Sequence, residues 1–235
     1  MIERRRLLLM RHGAVDYFDA QGRPYPPDDV PLTAQGVTQA RAIGEALAAG
    51  GIAIDRALTS GLVRTRETVQ HVLEAARRSP PLEHWPELQE IRGGRLSAIH
   101  NDDLRDAFIA AFEGPVPREK RFLGGETVGE LIDRVLPAVR RLLADDGWDT
   151  ALLVAHGGVN RAVLSWFLTG RHEFLGGLAQ DAGCLNVIDV GATPATSVVR
   201  VVNFCPLNTL RTETRLSTME ELLQKYLKLR ARSEA

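Results

Sequence analysis

Three stretches of the chain end a short apolar run in residues that could do chemistry. Leu7-Leu8-Leu9-Met10 runs into Arg11-His12-Gly13, and "TALLVA" (Thr150 to Ala155) runs into His156-Gly157-Gly158. "RALTS" (Arg56 to Ser60) runs into Gly61 and then Arg64. A buried run has no packing use for arginine and histidine at its end. The combination suits a phosphoryl group: guanidinium forks pair with phosphate oxygens, and free amides at a helix start add donors. An imidazole with a reference pKa of about 6.5 is largely neutral at pH 7 and is a competent nucleophile toward phosphorus. Phosphoryl transfer otherwise depends on positioning and charge stabilisation.

The elements that must deliver these residues follow from periodicity. Leu7–Met10, Arg56–Ser60 and Thr150–Ala155 read as short strands buried on both faces. Thr33 is a candidate N-cap for a helix that ends at Gly50-Gly51, and residues 61–78 form the helix after the second strand. There Leu62, Val69, Val72 and Leu73 make the apolar stripe. Residues 126–147 and 157–170 read as two more helices, with Pro137 a candidate kink in the first. "CLNVIDV" and "TSVVRVVNF" alternate as strands joined at "GATPA", which predicts an edge hairpin, and residues 217–233 form a terminal amphipathic helix. Residues 16–31 are a Pro/Gly/Asp-rich loop. The pattern weakens from Pro80 to Gly125, where only residues 101–114 look helical, so about 91–125 reads as an insertion covering part of the site. The expected fold is α/β: three layers, a mostly parallel sheet flanked by helices, in one domain spanning 1–235. Ligands of such sheets gather beyond the carboxyl ends of the strands, where Arg11, His12, Arg64 and His156 would meet.

Composition narrows the partners. The chain has 235 residues, a formal net charge of −1 and 44% hydrophobic residues, enough for a large core without global attraction to nucleic acid or an anionic membrane. Two cysteines, Cys184 and Cys205, make no disulfide framework or metal spacing, so a reducing, cytoplasmic setting is the default. "MIERRRLLLM" starts like a signal peptide, but its apolar run of four falls short of the roughly 7–15 of a true one. No stretch approaches the ~18 apolar residues of a membrane span.

These residues carry a resemblance. "LLLMRHG" resembles the Arg-His-Gly signature of the histidine phosphatase (phosphoglycerate mutase-like) superfamily. "SGLVRTRET" is similar to that family's second segment, matching at Ser60, Arg64 and Thr68, and "LTAQGVTQA" to its first helix. "LQEIRGG" resembles the segment bearing the family's acid, which falls on Glu90; "GGET" (Gly124 to Thr127) and "LLVAHGGVNRAVL" resemble two further elements. The matches run in order from residue 7 to about 164. The resemblance implies that His12 attacks phosphorus, that Arg11, Arg64, His156 and the Gly157 amide hold the oxygens, and that Glu90 protonates the leaving oxygen and then activates water. It implies no metal and no cofactor, and a small phosphorylated substrate.

The proton could instead come from Asp16 or Glu126, the latter also explicable as an acid favourably opening a helix. His71, His84, His100 and His172 lack a supporting pattern, and Arg92, Arg95 and the "REKR" run (118–121) read more as solvated charges than as a second anion site. Mutases of the family carry an Asn shortly after Arg-His-Gly, a Gly-Trp in the next loop and a Glu-Arg-His-Tyr segment around the acid. This chain has "AVDYFDAQGRPY" and "QEIRGG" in those places. Gly157 after His156 also disfavours the His-Asp branch of phytases and acid phosphatases. The expectation is a phosphomonoesterase, with a mutase of diverged loops or a non-catalytic phosphate-binding protein as alternatives. Specificity is expected in residues 16–31 and 91–125, and either a monomer or a homodimer is compatible.

Overall fold

A computed structural model describes residues 3–18, 25–95, 99–210 and 214–233. Residues 19–24 of the expected loop, 96–98 of the expected insertion and 234–235 lie outside the described residues. Six strands form one sheet in the order β3-β2-β4-β1-β5-β6. They are β1 (Arg5–Arg11), β2 (Arg56–Thr59), β3 (Leu82–His84), β4 (Thr150–Ala155), β5 (Leu185–Val190) and β6 (Val198–Phe204). The first four strands in that order run parallel, and β5–β6 is an antiparallel hairpin against β1.

Alternation of side chains across the sheet builds two cores. Leu8 and Met10 of β1 with Leu152 and Val154 of β4 meet α1 (Ala34–Ala49) and α2 (Val63–Ala76) through Ala40, Ile43, Val69 and Val72. Leu7, Leu9 and Leu153 point the other way, onto α4 (Val128–Ala144) and α5 (Gly157–Thr169) through Leu131, Val135, Val159 and Val163. The sheet is therefore the middle of three layers. Truncating one of these fully buried leucines to alanine is expected to cost about 2–5 kcal/mol.

The helix ends follow their residues. Thr33 Oγ1 caps α1 by accepting from the Gly36 amide at 3.1 Å, and Thr127 and Glu130 form a reciprocal capping box that starts α4. The latter continues through Pro137 to Ala144.

β3 is a strand that periodicity did not reveal. It has three residues, Leu-Glu-His, none of them buried, and it pairs on one side only, with Ala57 opposite Leu82. An edge strand that short buries too little to leave an apolar pattern. Within 91–125, α3 (Leu104–Ile109) packs through Leu104, Phe108 and Ile109 on Leu223 of α6 (Thr218–Ser233), a small core separate from the two main ones.

Candidate active site

Register levels the catalytic candidates. Arg11 pairs with Ala155 across β1–β4, and Thr59 pairs with Val154 across β2–β4. The next residue of each strand, His12, His156 and Ser60, therefore emerges at the same edge. His12 and His156 meet edge to face with ring centroids 5.2 Å apart. Arg11, His12, Arg64 and His156 are all buried.

His12 is fixed by the backbone beside it. Its Nδ1–H donates to the Gly13 carbonyl at 2.8 Å. A carbonyl only accepts, so the proton is on Nδ1 and the Nε2 lone pair faces the pocket. Burial, reinforced by Arg11 and Arg64, holds the imidazole well below its ordinary pKa, which keeps it neutral. The Gly13 amide donates to Thr68 Oγ1 at 3.0 Å. Gly13 also lies against the start of α1, where a Cβ would come within 2.5 Å of the Gly36 carbonyl oxygen. That contact allows no side chain.

His156 is also neutral, chiefly through burial and then through Arg64. Its hydrogen bonds fix its tautomer. Thr65 Oγ1 donates to the Leu62 carbonyl at 2.8 Å, so Ser60 Oγ donates to Thr65 (3.1 Å) and His156 Nε2 donates to Ser60 (2.8 Å). His156 Nδ1 is left buried without a partner, as are Arg11 Nε and Arg64 Nε. Each guanidinium is anchored through Nη1: Arg64 on the Pro27 carbonyl (2.8 Å), Arg11 on the Gln180 carbonyl and Thr218 Oγ1. Buried polar atoms are almost always satisfied in folded proteins. Arg11 Nε and Arg64 Nε are unpaired donors whose charges act on His12, a combination suited to an anion, whereas His156 Nδ1 in this tautomer is an unpaired acceptor.

Glu90 reaches this group from the segment after β3. Its carboxylate accepts from the Gly158 amide at 3.0 and 3.2 Å and from its neighbour Ile91 at 2.9 Å. A Cβ on Gly158 would fall 2.6 Å from Glu90 Oε1, so a side chain there would push the carboxylate off the Gly158 amide. Gly157, the first residue of α5, keeps a helix-start amide with no intrahelical acceptor.

The two alternative acids are engaged elsewhere. Glu126 accepts from Arg134 at 3.0 and 3.1 Å and from the Arg92 amide at 2.9 Å. Arg134 in turn donates to the Glu87 and Gln89 carbonyls, both at 2.7 Å. This pair clamps the backbone that presents Glu90. Asp16 pairs with Lys225 Nζ at 2.6 Å; against the upward pull of burial, that ammonium and the Phe18 amide hold its carboxyl below the usual range. Among the described residues, no group of three or more His, Cys, Asp or Glu is suited to a metal ion. Burial pushes the Cys184 thiol up to about 12, so it stays protonated.

The chain as a whole matches known proteins. A family model described as "Histidine phosphatase superfamily (branch 1)" matches residues 7–203. The chain belongs to the histidine phosphatase superfamily. A 2,3-bisphosphoglycerate-dependent phosphoglycerate mutase of Caulobacter vibrioides is 28% identical over 214 residues, covering 79% of this chain and 90% of the mutase. An adenosylcobalamin/alpha-ribazole phosphatase of Salmonella typhimurium is 30% identical over 192 residues, with the same coverage of 79% and 90%. Among solved structures, the alpha-ribazole phosphatase of Shigella flexneri superposes with a TM-score of 0.63 at 25% identity, covering 84% of this chain and 96% of that one.

Beyond the residues that the histidine phosphatase match covers, the chain adds one wall to the site. A cavity of about 470 Å³ opens beside Arg11 and His12, between the loop after β1, the first turns of α1, residues 181–183, residues 205–208 and the stretch that carries Thr214, Thr218 and Glu221. Tyr17 lines it, as the expectation for 16–31 requires, but none of the described residues in 91–125 does. That insertion backs α6 instead, and α6 carries Thr218 and Glu221 into the cavity wall. The "REKR" run is occupied locally, with Arg118 on Asp133 (2.7 Å) and Lys120 on Asp106 (2.5 Å). Arg134 and Thr218 contact the site residues without having stood out in the sequence. Arg134 is one of several charges on α4, and Thr218 is some 200 positions from the arginine it touches.

Proposed function

We propose that this histidine phosphatase superfamily member is a phosphomonoesterase that hydrolyses a small phosphorylated metabolite through phosphohistidine at His12. The observation that carries the reading is the pair of orphaned guanidinium donors, Arg11 Nε and Arg64 Nε, whose charges act on a neutral His12. In the first step His12 Nε2 bonds to phosphorus and the ester P–O bond breaks. Glu90, in its protonated form, gives the leaving oxygen its proton. In the second, Glu90 takes a proton from water, whose oxygen bonds to phosphorus as the P–N bond breaks. Arg11, Arg64 and the Gly157 amide stabilise the charge on the equatorial oxygens in both steps. His156 joins them once Nδ1 is protonated, or once Ser60 turns its hydroxyl toward Nε2.

The Arg11 and Arg64 guanidiniums and the Gly157 amide supply the charge stabilisation that a divalent ion would otherwise provide, so turnover is expected without one. Support for hydrolysis comes from the phosphatase relatives and from the absence of the mutase residues after Arg-His-Gly. The cavity supports a small leaving group, and Gln35, Thr38, Thr214 and Thr218 on its walls favour a hydroxylated one. The mutase relatives favour a second reading, 2-/3-phosphoglycerate interchange. One experiment separates them: incubate the enzyme, with and without EDTA, with sugar phosphates, nucleotides, phosphoserine and 3-phosphoglycerate plus 2,3-bisphosphoglycerate. Metal-free phosphate release supports hydrolysis. Formation of 2-phosphoglycerate without phosphate release overturns it.

A further inference from the structure

Behind the phosphate pocket lies a charge that the mechanism above does not use. Arg161, on α5 one turn after Gly157, is 7% exposed. Its Nε donates to the Gly176 carbonyl at 2.9 Å and its Nη1 to the Gly157 carbonyl at 3.1 Å, and the guanidinium lies 4.9 Å from the centre of the Phe112 ring. Its donors meet carbonyls rather than a carboxylate. A buried ion without a counter-ion is expensive, and here a second one is close by. A Cβ built on Gly157 would lie 3.1 Å from Arg161 Nη1 and 3.6 Å from Arg11 Nε. Two guanidiniums thus flank one glycine, and the absence of a side chain lets both approach. Burial, with the Arg11 charge next in importance, lowers Arg161 to about 10, which still leaves it a cation at neutral pH.

We propose that Arg161 is the third cation of the phosphate pocket, a positioning residue that acts from behind Gly157. Its charge adds to those of Arg11 and Arg64, and its bond to the Gly157 carbonyl fixes the first turn of α5, which carries the Gly157 and Gly158 amides. The three guanidiniums outnumber the carboxylates that act on Arg161, Glu90 and Asp181, and both histidines are neutral. A phosphoryl anion adds the negative charge that this group lacks and relieves the repulsion between Arg161 and Arg11. An ordinary structural arginine at this depth would be paired with an acid.

The inference rests on reading the His12 site as a phosphoryl site, and its test separates the two. Orthophosphate inhibition, kcat and KM for p-nitrophenyl phosphate, and thermal unfolding are measured on the full chain and on R161M and R161K. In R161M the inhibition constant for orthophosphate and KM are expected to rise about tenfold or more. R161K restores the charge but not the two-carbonyl grip, so it should recover most of the phosphate affinity while recovering less of the lost melting temperature. A folded R161M that binds phosphate within twofold of wild type overturns the proposal. So does a folded R161K whose affinity follows its melting temperature; this arm decides the matter if R161M does not fold. Absence of orthophosphate inhibition in the wild type would overturn the phosphoryl reading itself, and the inference with it.

Discussion

The phosphate end of the sheet and the cover laid beside it by α3 and α6 are held in opposite ways. At the phosphate end, Arg11, Arg64, His12 and His156 are buried, yet three of their polar atoms lack partners. In the cover, charges are exposed and paired, as in Lys225 with Asp16 and Lys120 with Asp106, and a small apolar cluster does the packing. The first region keeps unsatisfied charge in a rigid frame, where it interacts strongly with an anion because little water screens it. The second spends its charges on solvent-screened contacts worth at most about 1 kcal/mol each. We therefore assign reaction chemistry to the first, and propose that the second adjusts what is bound.

That contrast can be broken by substitution, most severely at His12. His12→Ala is expected to lower turnover about 10⁴-fold or more with the fold retained; p-nitrophenyl phosphate hydrolysis at near wild-type rate would remove His12 as nucleophile. Glu90→Gln should slow alkyl phosphates by about 10²–10⁴-fold but affect activated aryl esters far less, because only poor leaving groups need the proton. Equal losses on both would end the general-acid assignment. Arg64→Met should cost about 10²–10³-fold in kcat/KM, the range for one stabilising donor, and steady-state kinetics on any accepted ester checks it.

A smaller effect concerns pH. His12 and His156 bind protons less readily in the folded chain than in the unfolded one, where their pKa is about 6.5. Below that value the unfolded state holds the extra protons, so unfolding free energy should be flat above about 6.5 and fall as pH drops toward the folded-state values. Denaturant titrations at several pH values should show a shallower fall in a folded His12→Gln, His156→Gln double variant; an unchanged slope assigns it to other groups. At the far end of the scale, Lys225→Met should shift stability by no more than about 1 kcal/mol and leave kcat on p-nitrophenyl phosphate within twofold. A loss comparable to that of Arg64→Met would erase the distinction between the two regions.

Much of this organisation was legible in the chain. β4 coincides with the apolar run Thr150–Ala155, and α1 begins after its Thr33 cap, because full burial and capping leave local signatures. β3 left none, since three unburied residues held by pairing on one side carry no pattern. Glu90 was reached only through the family resemblance: its place in an irregular segment is set by the Gly158 amide and by a Glu126–Arg134 clamp, contacts separated by 68 and 44 residues. The insertion was legible as a break in pattern. That it supports α6 instead of lining the described cavity was not, because it depends on which surface α6 meets.

By itself the sequence determined most element types, the three strand ends that carry the candidate residues, and the family, since all of these rest on local periodicity and short ordered motifs. Tertiary structure decided the rest. Placing β4 between β1 and β2 brought Arg11, His12, Ser60, Arg64 and His156 to one edge, and hydrogen bonding then fixed a tautomer for each histidine. It also tied Thr218 to Arg11 and lodged Arg161 behind Gly157. Burial, orphaned atoms and like charges held close are properties of atoms far apart in the chain, and no local pattern records them.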